Sequence, residues 1–118
     1  MRSACLILTL CLLALPIAPL QAAERRCGWL HNPSPGNYWL TDRQGEWIMS
    51  TQGARATPGM ERVRGMTERE WVRTHGYYGY GCACVVMDAD ANREAVRIHS
   101  AEQLPLARCR NDRSLPRP

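Results

Sequence analysis

Between residues 27 and 51, apolar and polar positions alternate in short bursts separated by turn residues. Cys27-Gly-Trp-Leu-His31, Tyr38-Trp-Leu-Thr-Asp42 and Glu46-Trp-Ile-Met-Ser-Thr51 read as strands, divided by Asn32-Pro-Ser-Pro-Gly-Asn37 and Arg43-Gln-Gly45. The second and third of these predict a hairpin, with Gly45 at the left-handed position that a type I turn with a bulge requires. Residues 52–66 show no sustained period and hold three glycines and a proline, which predicts a mobile surface loop. Thr67 followed three residues later by Glu70 has the form of a capping box, so a short helix is expected over residues 68–74, turning Trp71 and Val72 inward.

Further along, Gly76-Tyr-Tyr-Gly-Tyr-Gly-Cys-Ala-Cys-Val-Val-Met87 passes from a glycine-rich approach into a run that is apolar at every position. Such a run fits a central strand over residues 80–88, covered on both faces. Glu94-Ala-Val-Arg-Ile-His-Ser100 alternates and is expected to pair beside it with Val96 and Ile98 inward. The intervening Asp88-Ala-Asp90-Ala-Asn92 copies the first half of a calcium loop. It departs from that loop at Arg93, where glycine is needed, and at His99, where a bidentate glutamate belongs, so it reads as a polar hairpin turn. Ser100 and Gln103 can cap one last helical turn before Leu104-Pro-Leu106, and residues 108–118 read as an irregular basic tail. These elements predict a small β-rich α+β domain, an antiparallel sheet or partial barrel of about five strands with one short helix.

The first 22 residues do not belong to that pattern. Arg2 precedes an apolar run from Ala4 to Leu15, Pro16 breaks it, and Leu20-Gln-Ala-Ala23 supplies a small-residue exit. This is the layout of a cleaved export signal. A spanning helix needs roughly 18 or more continuous apolar residues, and Pro16 and Pro19 interrupt this run, so no membrane anchor is expected after cleavage. The mature chain is then residues 23–118, a single domain that is periplasmic or secreted.

Composition sharpens this picture in two ways. All 15 basic residues are arginine, set against 11 acids and interleaved with them, for a net charge of +4. A balance this close to neutral is not the footprint of a nucleic-acid binder. Phenylalanine is absent and aliphatic residues are few, so four Trp and four Tyr have to supply much of the buried area, and cross-links are needed to limit the entropy of the unfolded chain.

Four cysteines remain in the mature part: Cys27, Cys82, Cys84 and Cys109. An even number in an exported chain reads as a disulfide framework, here two bridges. On a strand, Cys82 and Cys84 point to one face about 6.6 Å apart, whereas bridged Cβ atoms lie roughly 3.5–4.5 Å apart. They are therefore expected to bridge not each other but Cys27 and Cys109, with Cys27 going to either Cys82 or Cys84. The competing chemistry is a soft-metal or dithiol site built from Cys82, Cys84, Met87 and His99, suited to copper or zinc or to thiol redox cycling. It demands free thiols where the framework demands disulfides.

No nucleophile, base and orienting group recur at a recognisable spacing, and the three histidines, 31, 75 and 99, lie in unrelated contexts. No catalysis and no cofactor are expected. Tyrosine and tryptophan dominate binding hot spots, and Tyr77 and Tyr78 fall in a glycine-rich segment outside the alternating strand. With Arg73 they are the expected partner-binding residues.

Cys27-Gly-Trp-Leu-x-Asn32-Pro-x-Pro-Gly-Asn, Trp39-Leu-Thr-Asp42, Trp71-Val-Arg-Thr, Gly79-Tyr-Gly-Cys-Ala-Cys84 and Leu104-Pro-Leu-x-x-Cys109 resemble the family catalogued as domain of unknown function 4087. The resemblance spans essentially the whole mature chain. It implies a small, mostly proteobacterial exported protein that shares the four cysteines, and it carries over no catalytic or binding residue. The expected function is a non-catalytic binding or inhibitor-type module for a protein or cell-wall partner, with the metal or redox protein as the alternative.

Overall fold

The structure, a computed structural model, describes Leu13, Ala14 and residues 23–118. Apart from those first two positions, the export segment expected at residues 1–22 lies outside the described residues.

Among the described residues, six strands form one antiparallel sheet: β1 (Glu24–Ser34), β2 (Asn37–Asp42), β3 (Gly45–Ser50), β4 (Trp71–His75), β5 (Tyr78–Ala89) and β6 (Ala95–Leu104). A short helix, α1 (Leu106–Arg110), follows. The order is β3-β2-β1-β5-β4. β5 is central because it is long enough to serve three partners. One edge pairs with β1 from Asn32–Gly79 to Glu24–Met87. The other is shared, with β4 opposite Tyr78–Gly81 and β6 opposite Cys82–Ala89. The sheet curls until Ile48 N–H donates to the Arg93 carbonyl at 2.8 Å, which brings the β3 edge to the start of β6 and makes a partial barrel.

Pleat alternation sorts the side chains. Leu30, Leu40, Trp47, Ala83, Val85, Met87 and Ile98 turn into the curl and form the main core. Trp29, Cys82, Leu106 and Cys109 pack on the opposite face beneath the C-terminal segment. The run apolar on both faces, read as a central strand, is therefore covered on both faces. The predicted hairpin is β2–β3, where Asp42 pairs with Gly45 and Gly45 takes φ 123°. The polar turn after β5 is also present, held by Asp90 Oδ1, which accepts from the N–H groups of Asn92 and Glu94.

Four expectations are corrected. Residues 52–66 are not merely a surface loop: Met60, Val63 and Met66 close the core, and a 3-10 turn at Met60–Arg62 brings the first of them inward. Burying three such side chains is worth about 1.5–3 kcal/mol each. Ile98 N–H, on β6, donates to the Pro58 carbonyl and ties that segment down. Second, residues 68–74 are not helical. Glu70 has φ 53°, which reverses the chain, and Trp71 onward pairs as β4 with Gly81 to Gly79. The Glu70 carboxylate instead accepts from Leu106 N–H at 2.9 Å. Third, Val96 is exposed while Ile98 is buried. Pairing skips Val96, a bulge that flips the phase of the strand between the two. Fourth, the last helical turn lies after Pro105 rather than before it, because β6 runs on to Leu104 against Cys82.

Candidate functional site

The cysteine framework resolves through strand register. Cys27 on β1 stands directly opposite Cys84 on β5, and those two are bridged with a Cα separation of 4.0 Å. Cys82 lies one residue pair along the same face. It bridges Cys109 in α1, with Cα atoms 5.7 Å apart, and so fastens the C-terminal segment onto the sheet. Trp29 Nε1 adds a hydrogen bond to the Pro116 carbonyl at 3.0 Å. Two formed disulfides suit an oxidising environment, and no helix among the described residues is long and apolar enough to cross a membrane.

The alternative set of Cys82, Cys84, Met87 and His99 is not brought together. Both sulfurs are in bridges, Met87 points into the core on the other face of β5, and exposed His99 pairs with Asp88 Oδ2 at 2.9 Å. Among the described residues no three His, Cys, Asp or Glu side chains group as metal ligands.

Arg73, Tyr77 and Tyr78 all lie on the β4–β5 hairpin, and two of them meet. The Arg73 guanidinium sits over the Tyr77 ring, 4.7 Å from its centre, and Tyr77 is 69% exposed. The hairpin under them is held by side chains: Trp71 Nε1 donates to the Tyr77 carbonyl at 3.2 Å and Thr74 Oγ1 to the Tyr78 carbonyl at 3.3 Å. Close approach of the strands depends on Gly81, because the Trp71 ring occupies the space where a Cβ would stand. Tyr78 is half-buried and turns away from this pair into a cleft.

That cleft opens at the end of the partial barrel beside the β1–β2 turn and has a volume of about 250 Å³. Its polar lining is Tyr38, Ser50, Arg64 and Tyr78 together with Asn32, and among the described residues no acid lines it. A bulge explains how β3 reaches it. Tyr38 pairs with Ser50 and Trp39 with Ile48, so Met49 is the extra residue, buried in the core. Asn32 is committed to structure, since its amide donates to the carbonyls of Ser34 and Asn37 at 2.9 and 2.8 Å and shapes the turn. Burial pushes the Tyr38 phenol above its usual range; Arg64 opposes that rise and Tyr78 adds to it. Tyr38 is thus a neutral donor at physiological pH. The sequence marks Tyr38 as the start of a strand but carries no signal for Arg64, which reaches the cleft only through the fold of residues 52–66.

Two larger clefts flank Arg26, with volumes of about 320 and 270 Å³. Both are lined by acids as well as arginines. Arg26 itself is already paired with Asp42, Gln44 and Glu24, so its charge is spent within the protein. A third feature is a row of rings across neighbouring strands. His31 lies between Trp39 at 5.2 Å and Tyr80 at 5.8 Å, centroid to centroid. Burial lowers the His31 pKa, and Glu46 works against it.

The family model described as protein of unknown function (DUF4087) matches residues 21–116, and the chain belongs to that family. No curated protein and no solved structure matches the chain.

Proposed function

We propose that this member of the DUF4087 family is an exported, non-catalytic binding module that engages a protein or cell-wall partner through the β4–β5 hairpin. The observation that carries this reading is Tyr77, a large aromatic left 69% exposed with the Arg73 guanidinium stacked over it. Tyrosine and arginine are, with tryptophan, the side chains most enriched at binding hot spots. A hairpin held in place before binding loses less entropy on association than a loose one. The two disulfides support the same reading, because both fasten β5 and hence the base of the hairpin. The signal-like layout of residues 1–23 supports delivery to the periplasm or the exterior.

The test is site-specific photocrosslinking in the cell envelope, with the crosslinker at position 77 and, as control, at position 92 in the turn at the other end of β5. A discrete adduct at position 77, absent at position 92 and lost on Arg73→Ser, supports the reading; intact cell-wall sacculi are probed in the same way. Equal adducts at both positions, or none at position 77, would remove it.

A further inference from the structure

We infer that the cleft formed by Tyr38, Ser50, Arg64 and Tyr78 is a binding site for a monocarboxylate. This deepens the proposed function, on which it rests, by naming what the hairpin end of the molecule recognises.

The chemistry of the lining selects the ligand. Among the described residues, Arg64 is the one charged residue that lines the cleft, and no salt bridge engages it. The clefts around Arg26 differ on this point, because acidic partners within the protein already neutralise that guanidinium. A guanidinium fork matches the two oxygens of a carboxylate. The hydroxyls of Tyr38, Tyr78 and Ser50 add neutral donors around it, and the Tyr38 phenol holds its proton beyond its usual range.

Charge decides between anions. A phosphate monoester carries about −1.5 to −2 at neutral pH, more than one guanidinium balances, whereas a carboxylate carries a single charge. Met60, Ala56 and Pro35 supply an apolar wall against which the carbon skeleton of the ligand can pack. Size decides the rest. Ligand pockets usually fall in the range of roughly 300–1,000 Å³, and about 250 Å³ fits one terminal residue of a longer molecule. The position agrees, since the mouths of β-barrels are preferred ligand sites and Tyr78 joins this mouth to the hairpin that bears Tyr77.

Two sources offer this group: the free C-terminus of a peptide and a sugar acid of a wall polymer. The test follows backbone amide NMR shifts of the disulfide-bonded protein, expressed from the full-length chain, during titration with N-acetyl-alanine, glucuronate, N-acetyl-alaninamide and inorganic phosphate. The expected result is saturable shifts at Gly36, Ser50 and Tyr78 with one or both carboxylates, and binding at least ~10-fold weaker for the uncharged amide. A response to N-acetyl-alanine alone assigns the site to chain ends, and a response to glucuronate alone assigns it to sugar acids.

Arg64→Gln should weaken binding by at least ~10-fold and Tyr38→Phe by ~3- to 10-fold, while Arg97→Gln, on exposed β6, should leave it unchanged. No saturable shift with either carboxylate, equal binding of the amide, tighter binding of phosphate, or unchanged binding in Arg64→Gln would each overturn the inference. Crosslinking at position 77 without carboxylate binding removes this inference and leaves the binding module standing. Carboxylate binding without crosslinking does the reverse.

Discussion

The guanidinium of Arg26 lies over the indole of Trp47, 3.4 Å from the ring centre, while Trp47 Nε1 donates at 3.0 Å to Asp42, the same carboxylate that pairs with Arg26. Three strands therefore meet in one closed set of contacts. Asp42 also accepts from Gln44 N–H at 2.8 Å, which fixes the β2–β3 turn. Arg26 and Asp42 side chains are only 11% and 8% exposed, so neither is readily rehydrated if the other is removed.

Asp42→Ala is expected to destabilise the protein by about 3 kcal/mol, within the range for breaking a buried charged pair. Arg26→Met, which keeps an apolar stem over Trp47 and leaves the Asp42 carboxylate still accepting from Trp47 Nε1 and Gln44 N–H, should cost less. Urea unfolding of both variants followed by tryptophan fluorescence checks the order, and an Asp42→Ala cost below about 1 kcal/mol would show the cluster to be peripheral.

The two disulfides should fail differently. Cys27–Cys84 joins residues already paired between β1 and β5 and closes 57 residues, so its removal should lower global stability by about 2–4 kcal/mol with the ladder retained. Cys82–Cys109 pins α1 and the segment over Trp29. Its removal should free residues 105–118 locally, seen as faster amide exchange there and a more accessible Trp29. Uniformly faster exchange in both double Cys→Ser variants would contradict this division.

His31 should make stability fall in acid. Burial lowers its folded pKa below the ordinary 6.5, so below that pH the unfolded chain takes up a proton that the folded chain refuses. The contribution is complete above pH 6.5 and declines as pH falls from there toward the folded pKa. His31→Phe, which keeps a ring between Trp39 and Tyr80, should flatten this part of the profile. The unfolding midpoint measured from pH 7.5 to pH 5 reads the difference, and parallel profiles would show that His31 does not titrate this way.

Gly81→Ala is expected to cost about 1–3 kcal/mol, the usual range for overpacking, because the added methyl would stand 2.7 Å from the Trp71 ring. Displacement of Trp71 should also break its hydrogen bond to the Tyr77 carbonyl and loosen the hairpin tip. A shift in tryptophan emission together with weaker crosslinking at position 77 reads both effects; an unchanged hairpin would mean that the ring moves aside without consequence.

How much of this was legible in the sequence follows from whether the cause was local. The β2–β3 hairpin was, since Arg43-Gln-Gly45 sets the turn and the register follows from it. The capping-box signal at Thr67 and Glu70 was equally local and was overridden, because pairing with Gly79 to Gly81 claims the next residues and Leu106 N–H claims the Glu70 carboxylate. Met60, Val63 and Met66 stand in a stretch with no sustained period, and only the shape of the curled sheet shows that they cover it. Of the candidate site, Arg73, Tyr77 and Tyr78 could be named from composition and context, while Arg64 could not.

By itself, then, the sequence determined the β-rich class, the hairpin, the central strand and the fact that Cys82 and Cys84 do not bridge each other, all consequences of turn chemistry and of a side-chain period of two. The tertiary structure alone decided which cysteine Cys27 meets, where Val96 leaves the core and which side chains share the cleft. Those outcomes depend on strand register and bulges, which shift by single residues and are fixed only when distant segments pack together.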